Sequence, residues 1–320
     1  MPPVWAARCR STSLGSSDCL HLVPCRSMRV PEWQLNVIKQ VILLAGRGLL
    51  ILLLWGGGGS VVQAQGGHGP AFGLATPTLP QGGWNYNSTL MSVGTGERGV
   101  MTRQSLWYGL TQHLQLNASV PVSFQAPNPR PTTRGGTMMG GLSALEASVY
   151  WRFHRQYLGV GKRFESTLLV SGLYPTRDHA PNRRAGPGVH LAAVTGYASR
   201  SVYAWAGAGM QHYTPREGHR PGDLRYGSLV VGWRPGYFQR ATTPDWRLFV
   251  EGLAESLGPE QREDVAAPGS GGEKAFAGPS LLGLYGAWGL SLGVLFPVYQ
   301  DVPGRQEEGP RPMLNFTYWF

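Results

Sequence analysis

Cysteine is confined to one end of this chain: of 320 residues only three are Cys, and Cys9, Cys19 and Cys25 all lie near the start. A disulfide framework or a cysteine-ligated metal further along is thereby excluded. Lysine is nearly absent, and charged residues make up only 14% of the chain, where about a quarter is usual in soluble domains. The bulk of the chain holds no clean run of about 20 apolar residues, so a bundle of membrane-spanning helices is excluded there. Catalytic signatures are missing too. There is no His-Glu-x-x-His, no phosphate-cradling Gly-x-x-x-x-Gly-Lys-Ser/Thr and no Cys-x-x-Cys. The chain is therefore expected to be no enzyme, with no catalytic residue, cofactor or metal. His179, His212 and His219 fall in or near external loops, and His68 stands alone. Loop histidines are more often solvated than metal-bound.

The formal charge of +10 raises nucleic acid as a partner. The basic residues argue against it. Arg130, Arg134, Arg183 and Arg184 are scattered through loop-like stretches and build no stripe or recognition motif.

What the sequence has is alternation. At the C-terminus Leu314, Phe316, Tyr318 and Phe320 fall on one face and Asn315 and Thr317 on the other. An apolar edge ending on an aromatic is a liability in water and natural in a membrane barrel, where the strand is paired on both sides and its apolar face meets lipid. Residues 114–124 show the same habit. Leu114, Leu116, Ala118, Val120, Val122 and Phe124 oppose Gln115, Asn117, Ser119 and Ser123. Further strands are expected at residues 84–93, 100–110, 142–153, 164–174, 189–197, 202–213, 224–234, 246–256, 275–285, 288–298 and 313–320. That makes about twelve, an even number with spans of about ten residues, as an outer-membrane barrel requires. The expected fold is all-β: a transmembrane, antiparallel, up-and-down β-barrel over residues 84–320. Short and long connections alternate, which assigns the short ones and both termini to the periplasm. Connections at residues 154–163 and 235–245 are longer than that scheme wants.

Residues 1–64 read as a leader. Arg26, Arg29 and Lys39 precede the apolar stretch 41–55, and Val62-Gln63-Ala64 closes it as a signal-peptide cleavage site. Arg47 inside that stretch argues against a permanent anchor. Met28 is an alternative start. Residues 65–83, rich in Gly and Pro and without periodicity, read as a periplasmic lead-in too short for a plug domain.

Several phrases carry a family likeness. Tyr108-Gly109-Leu110-Thr111, Leu114-Gln115-Leu116, Ser119-Val120-Pro121, Gly232-Trp233-Arg234-Pro235 and Phe296-Pro297-Val298-Tyr299-Gln300-Asp301 resemble hallmarks of a Gram-negative outer-membrane family. It is called the MetA-pathway-of-phenol-degradation, or simply "transporter", family. The resemblance implies a barrel of this size and a transport role. It supplies no catalytic residues, and Thr317-Tyr318-Trp319 departs from its usual ending.

The alternation aims charges at the lumen: Glu146 and Arg152 on one strand, Arg247, Glu251 and Glu255 on another. They read either as a salt-bridge network stiffening the barrel or as a constriction that selects solutes. The expected function is a monomeric outer-membrane porin or transporter passing a small solute by facilitated diffusion. Its partners would be outer-membrane lipid and, through the C-terminal strand, the barrel-assembly machinery. The alternative is a non-conducting structural or surface-interaction barrel.

Overall fold

The structure, a computed structural model, describes residues 69–93, 99–124, 144–175, 185–239, 244–303 and 307–320. The leader, residues 1–64, lies outside the described residues, as do residues 125–143 and 176–184. No helix among the described residues is long and apolar enough to cross a membrane.

In chain order the strands are β1 (Trp84–Val93), β2 (Gly99–Gly109), β3 (Leu114–Phe124), β4 (Ala144–Gly159), β5 (Lys162–Pro175), β6 (Gly188–Ala198) and β7 (Val202–Tyr213). Then come β8 (His219–Arg220), β9 (Leu224–Trp233), β10 (Asp245–Leu257), β11 (Gln261–Arg262), β12 (Val265–Ala266), β13 (Gly272–Tyr285), β14 (Trp288–Asp301) and β15 (Arg311–Trp319). The twelve long strands close into one antiparallel up-and-down barrel. β15 completes it against β1, in register from Asn85 opposite Trp319 to Met91 opposite Met313. Two further backbone bonds between Trp84 and Phe320 extend that seam to the end of the chain. No strand edge is left open, the one sheet solution that works in hydrocarbon. The short β8, β11 and β12 form a separate three-stranded sheet among the long connections.

Burial along the strands is the reverse of a soluble sandwich. On β6 it alternates strictly, with His190 buried between exposed Val189 and Leu191. On β9 Leu229, Val231 and Trp233 are more than half exposed while Ser228 and Val230 are buried. One exterior row is all leucine. Leu248, Leu281, Leu292, Leu314 and Leu90 stand side by side across β10, β13, β14, β15 and β1. Apolar groups standing outward at such exposure are costly in water and stabilising in lipid.

One end of the barrel, here the turn end, carries Trp84, Phe320 and the short connections; the other is the loop end. Aromatic rings crowd the turn end: Trp84 lies 4.6 Å from Tyr108 and Trp288 4.4 Å from Tyr318, centroid to centroid. This is where an interfacial girdle belongs. The β4–β5 connection, expected over residues 154–163, is instead a two-residue turn, because both strands run on. Gly161 sits at φ +69°, a turn conformation that favours glycine. The register slips between Arg152 and His154, a bulge that re-aims the rest of β4.

Candidate functional site

Residues 69–80, expected as a periplasmic lead-in, lie inside the barrel instead, and this is a correction to the sequence reading. Ala71, Phe72, Thr76, Thr78 and Leu79 are buried. The segment has no strand partner of its own, so its backbone groups bond to lumen side chains. Glu251 Oε1 accepts the Ala71 N–H at 2.8 Å, and Oε2 accepts those of Phe72 at 2.8 Å and Gly73 at 2.6 Å. Ser280 donates its hydroxyl to the same carboxylate. Further along, the Leu74 N–H reaches Ser228 Oγ at 3.3 Å, and the Thr76 carbonyl accepts from Thr167 Oγ1 at 2.8 Å. The Trp205 indole donates to Thr76 Oγ1 at 3.1 Å. The Leu79 N–H meets Gln115 Oε1 at 2.7 Å. The segment is thus hydrogen-bonded to β10, β9, β5, β7 and β3. At the turn end a Cβ on Gly109 would stand 2.0 Å from the Pro80 carbonyl oxygen. Only glycine admits the segment there.

Phe72 leads an apolar cluster in the lumen with Met91, Leu169, Tyr226, Phe276, Leu295 and Met313. The interior around the inner segment is packed rather than uniformly watery.

Four charged clusters among the described residues line the rest of the lumen. In the middle, Arg103 of β2 binds Glu146 of β4 at 2.7 Å. Glu146 also contacts His190 Nδ1 at 3.2 Å, and His190 Nε2 meets the Tyr226 hydroxyl at 2.7 Å. At the loop end, Arg311 grips Glu255 through two bonds of 3.1 and 2.8 Å and Glu308 at 2.8 Å, while Lys274 holds Glu308 at 2.5 Å. Burial would raise the Glu308 carboxyl, but Arg311 and Lys274 outweigh it and hold it below the usual carboxylate range. The Arg311 guanidinium also lies 3.7 Å over the Phe276 ring.

At the turn end, Glu165 is shared by Arg163 at 2.9 Å, Arg152 at 3.1 Å and Arg155 at 3.8 Å. Arg152 also donates to the Gln112 carbonyl. Across the mouth, Asp245 is shared by Arg234 at 2.6 Å and Arg247 at 2.7 Å.

The five residues picked from the sequence do not meet in one ring. Glu146 belongs to the middle group, Glu255 to the loop end, and Arg152 and Arg247 to the turn end, while Glu251 holds the inner segment. Sequence reasoning missed Arg103, Glu165, His190, Tyr226, Asp245 and Arg311.

The three loop histidines do not form a group among the described residues. His212 Nδ1 is bonded to Asp223 at 2.8 Å, His219 sits in β8, and His179 lies outside them. No group of three metal-ligating side chains occurs among the described residues. Gly289-Leu290-Ser291-Leu292-Gly293 has the letters of a nucleophile elbow, but it runs through β14 as plain strand. An elbow needs a sharp strand-to-helix turn.

The wall is also irregular around Pro279 and Pro312. Pro279 and Pro312 bring no N–H to the ladder, and Pro279 has no partner on β14. Beside them lies an apolar recess of about 660 Å³ lined by residues from both faces of the wall. Leu248, Leu292 and Leu314 come from the outer face, Met91, Ser280 and Met313 from the inner.

No protein-family model matches the sequence, and no curated protein matches it. Solved structures do match the fold. The COG4313 outer membrane channel from Pseudomonas putida F1 is 13% identical with a TM-score of 0.54, covering 76% of this chain and 97% of that one. The NanC porin gives a TM-score of 0.43 at 8% identity, covering 73% of this chain and 97% of its own. LpxR from Salmonella typhimurium gives 0.36 at 8%, covering 74% and 100%. The chain is a twelve-stranded closed barrel whose fold is similar to that of the Pseudomonas putida channel.

Proposed function

We infer that this chain is a Gram-negative outer-membrane channel that passes a small solute by facilitated diffusion, without catalysis. Residues 69–80 form its constriction. The observation that carries this reading is the Glu251 carboxylate receiving three consecutive backbone N–H groups of a segment threaded through the lumen. Such a tether fixes the leading end of the segment through one side chain, which suits a gate. The outward leucine row and the aromatic turn end favour the outer membrane as its location, with the turn end in the periplasm. The likeness of short phrases to the phenol-degradation transporter family points the same way.

A second reading, a non-conducting structural barrel, is favoured by one specific observation: the packing of Phe72, Phe276 and Leu295 inside the lumen. Planar-bilayer recording of the purified mature chain separates the two. Discrete current steps are expected from a channel. Silence at high protein load, with the protein folded, would favour the structural barrel.

A further inference from the structure

The turn end of the lumen holds more guanidinium than its carboxylates can neutralise. Among the described residues Arg152, Arg155, Arg163, Arg234 and Arg247 share only Glu165 and Asp245, which leaves an excess of three positive charges. Further up the lumen the charges are matched. In the ion pairs there, Arg103, Lys274 and Arg311 face Glu146, Glu255 and Glu308, so no excess of positive charge remains. The barrel therefore carries an axial field that draws anions toward the turn end.

Strand register joins the two arginine groups into one vestibule. Arg163 stands beside Ala198, Ala198 beside Tyr203, Tyr203 beside Gly232 and Gly232 beside Phe249, one row across β5, β6, β7, β9 and β10. The Arg247 guanidinium lies 5.4 Å over the Tyr203 ring, which is stacked on Trp205. So an aromatic wall runs between the two basic groups.

A second observation points to a missing ligand. Among the described residues, three of the four buried arginine Nε–H groups without a hydrogen-bond partner belong to this end, those of Arg152, Arg155 and Arg247, the fourth being that of Arg103 in the middle; Arg152 is more than nine-tenths buried, its other nitrogens bonded to Glu165 and the Gln112 carbonyl. Buried donors are normally satisfied, and an exception calls for a ligand or water. Guanidinium donors match oxyanions in both charge and fork geometry.

We propose that this turn-end vestibule, built by Arg152, Arg155, Arg163, Arg234 and Arg247 beside Tyr203, is a binding site for a small oxyanion, a carboxylate or phosphate. The inference deepens the channel reading by naming the solute class that its inner mouth retains. Its binding test does not depend on conduction.

The test is a titration of the folded mature chain, in a phosphate-free maltoside detergent, with inorganic phosphate observed by ³¹P NMR. The site predicts saturable line broadening that acetate reverses. Arg155→Gln/Arg247→Gln should weaken binding about tenfold or more, since each loses a charge-assisted hydrogen bond. Arg262→Gln, on the exposed β11, should leave it unchanged. Heat-modifiable gel mobility establishes that each variant is folded, and the wild-type titration decides the matter even where a variant is not. Absence of saturable broadening in folded wild-type protein overturns the site. So does binding that appears only when phosphatidylglycerol is added, which would make a lipid headgroup the occupant. A silent bilayer would sink conduction and leave this site standing; a conducting channel without phosphate binding would do the reverse.

Discussion

Glu251 accepts the backbone N–H of Phe72 at 2.8 Å across 179 positions of sequence. This contact joins the wall to the segment that lies inside it. Glu251→Ala removes the acceptor for Ala71, Phe72 and Gly73 together. Hydrogen bonds to a charged group are worth about 1.5–3 kcal/mol each, and non-additivity keeps the sum to a few kcal/mol. The variant should lose stability by that order in urea titration. Its residues 69–80 should also become open to protease in otherwise folded barrels, while wild-type protein resists.

Arg103 and Glu146 are both largely buried and bonded at 2.7 Å. Removing one partner of such a pair strands the other, at a cost of about 3–5 kcal/mol. Glu146→Ala should fall in that range by urea unfolding in vesicles, and it also unties His190 from the network. Arg103→Met with Glu146→Leu should recover much of the loss, because neither charge is then left alone. A double variant as damaged as the single one would contradict this account.

At the loop end, acid should open the latch that Lys274 and Arg311 make with Glu308. Its two basic partners hold the Glu308 carboxyl below the usual carboxylate range. A carboxyl depressed in the folded state contributes stability that is fully present above its unfolded value, about 4.3, and lost as pH falls through the folded value. The latch is therefore intact at pH 7 and weakens only below about pH 4. Hydrogen exchange around residues 300–311 should accelerate in that acid window. Glu308→Gln should exchange faster at every pH and lose the acid dependence.

The leucine row makes a claim about lipid. Leu292→Arg places a charge on the outer face, among Leu281 and Leu314. At mid-depth this should cost about 2–4 kcal/mol, read as reduced folding into phospholipid vesicles. An unchanged folding yield would argue that this face meets no hydrocarbon.

Strand placement was legible because the wall obeys a period of two and burial follows it, as β6 and β14 show most clearly. The lumen was legible only in part. On β2, Thr102, Arg103, Gln104 and Ser105 are four polar residues in succession, so polarity alone assigns Arg103 no face. On β9, Arg225 points outward and Tyr226 inward, opposite to what polarity suggests. Near the loop end an outward Arg can reach the membrane surface, and Tyr226 finds His190 inside. The inner segment was beyond sequence reading. Residues 69–80 have no periodicity because they form no ladder, and their partners lie far along the chain, as Thr76 with Trp205 shows.

The most direct measurement is single-channel conductance of the mature barrel with and without residues 69–80. If that segment is the constriction, the shortened barrel should give steps several-fold larger than wild type, on the order of an unplugged lumen of this strand number. Equal steps from the two proteins, or silence from both while folded, would contradict it.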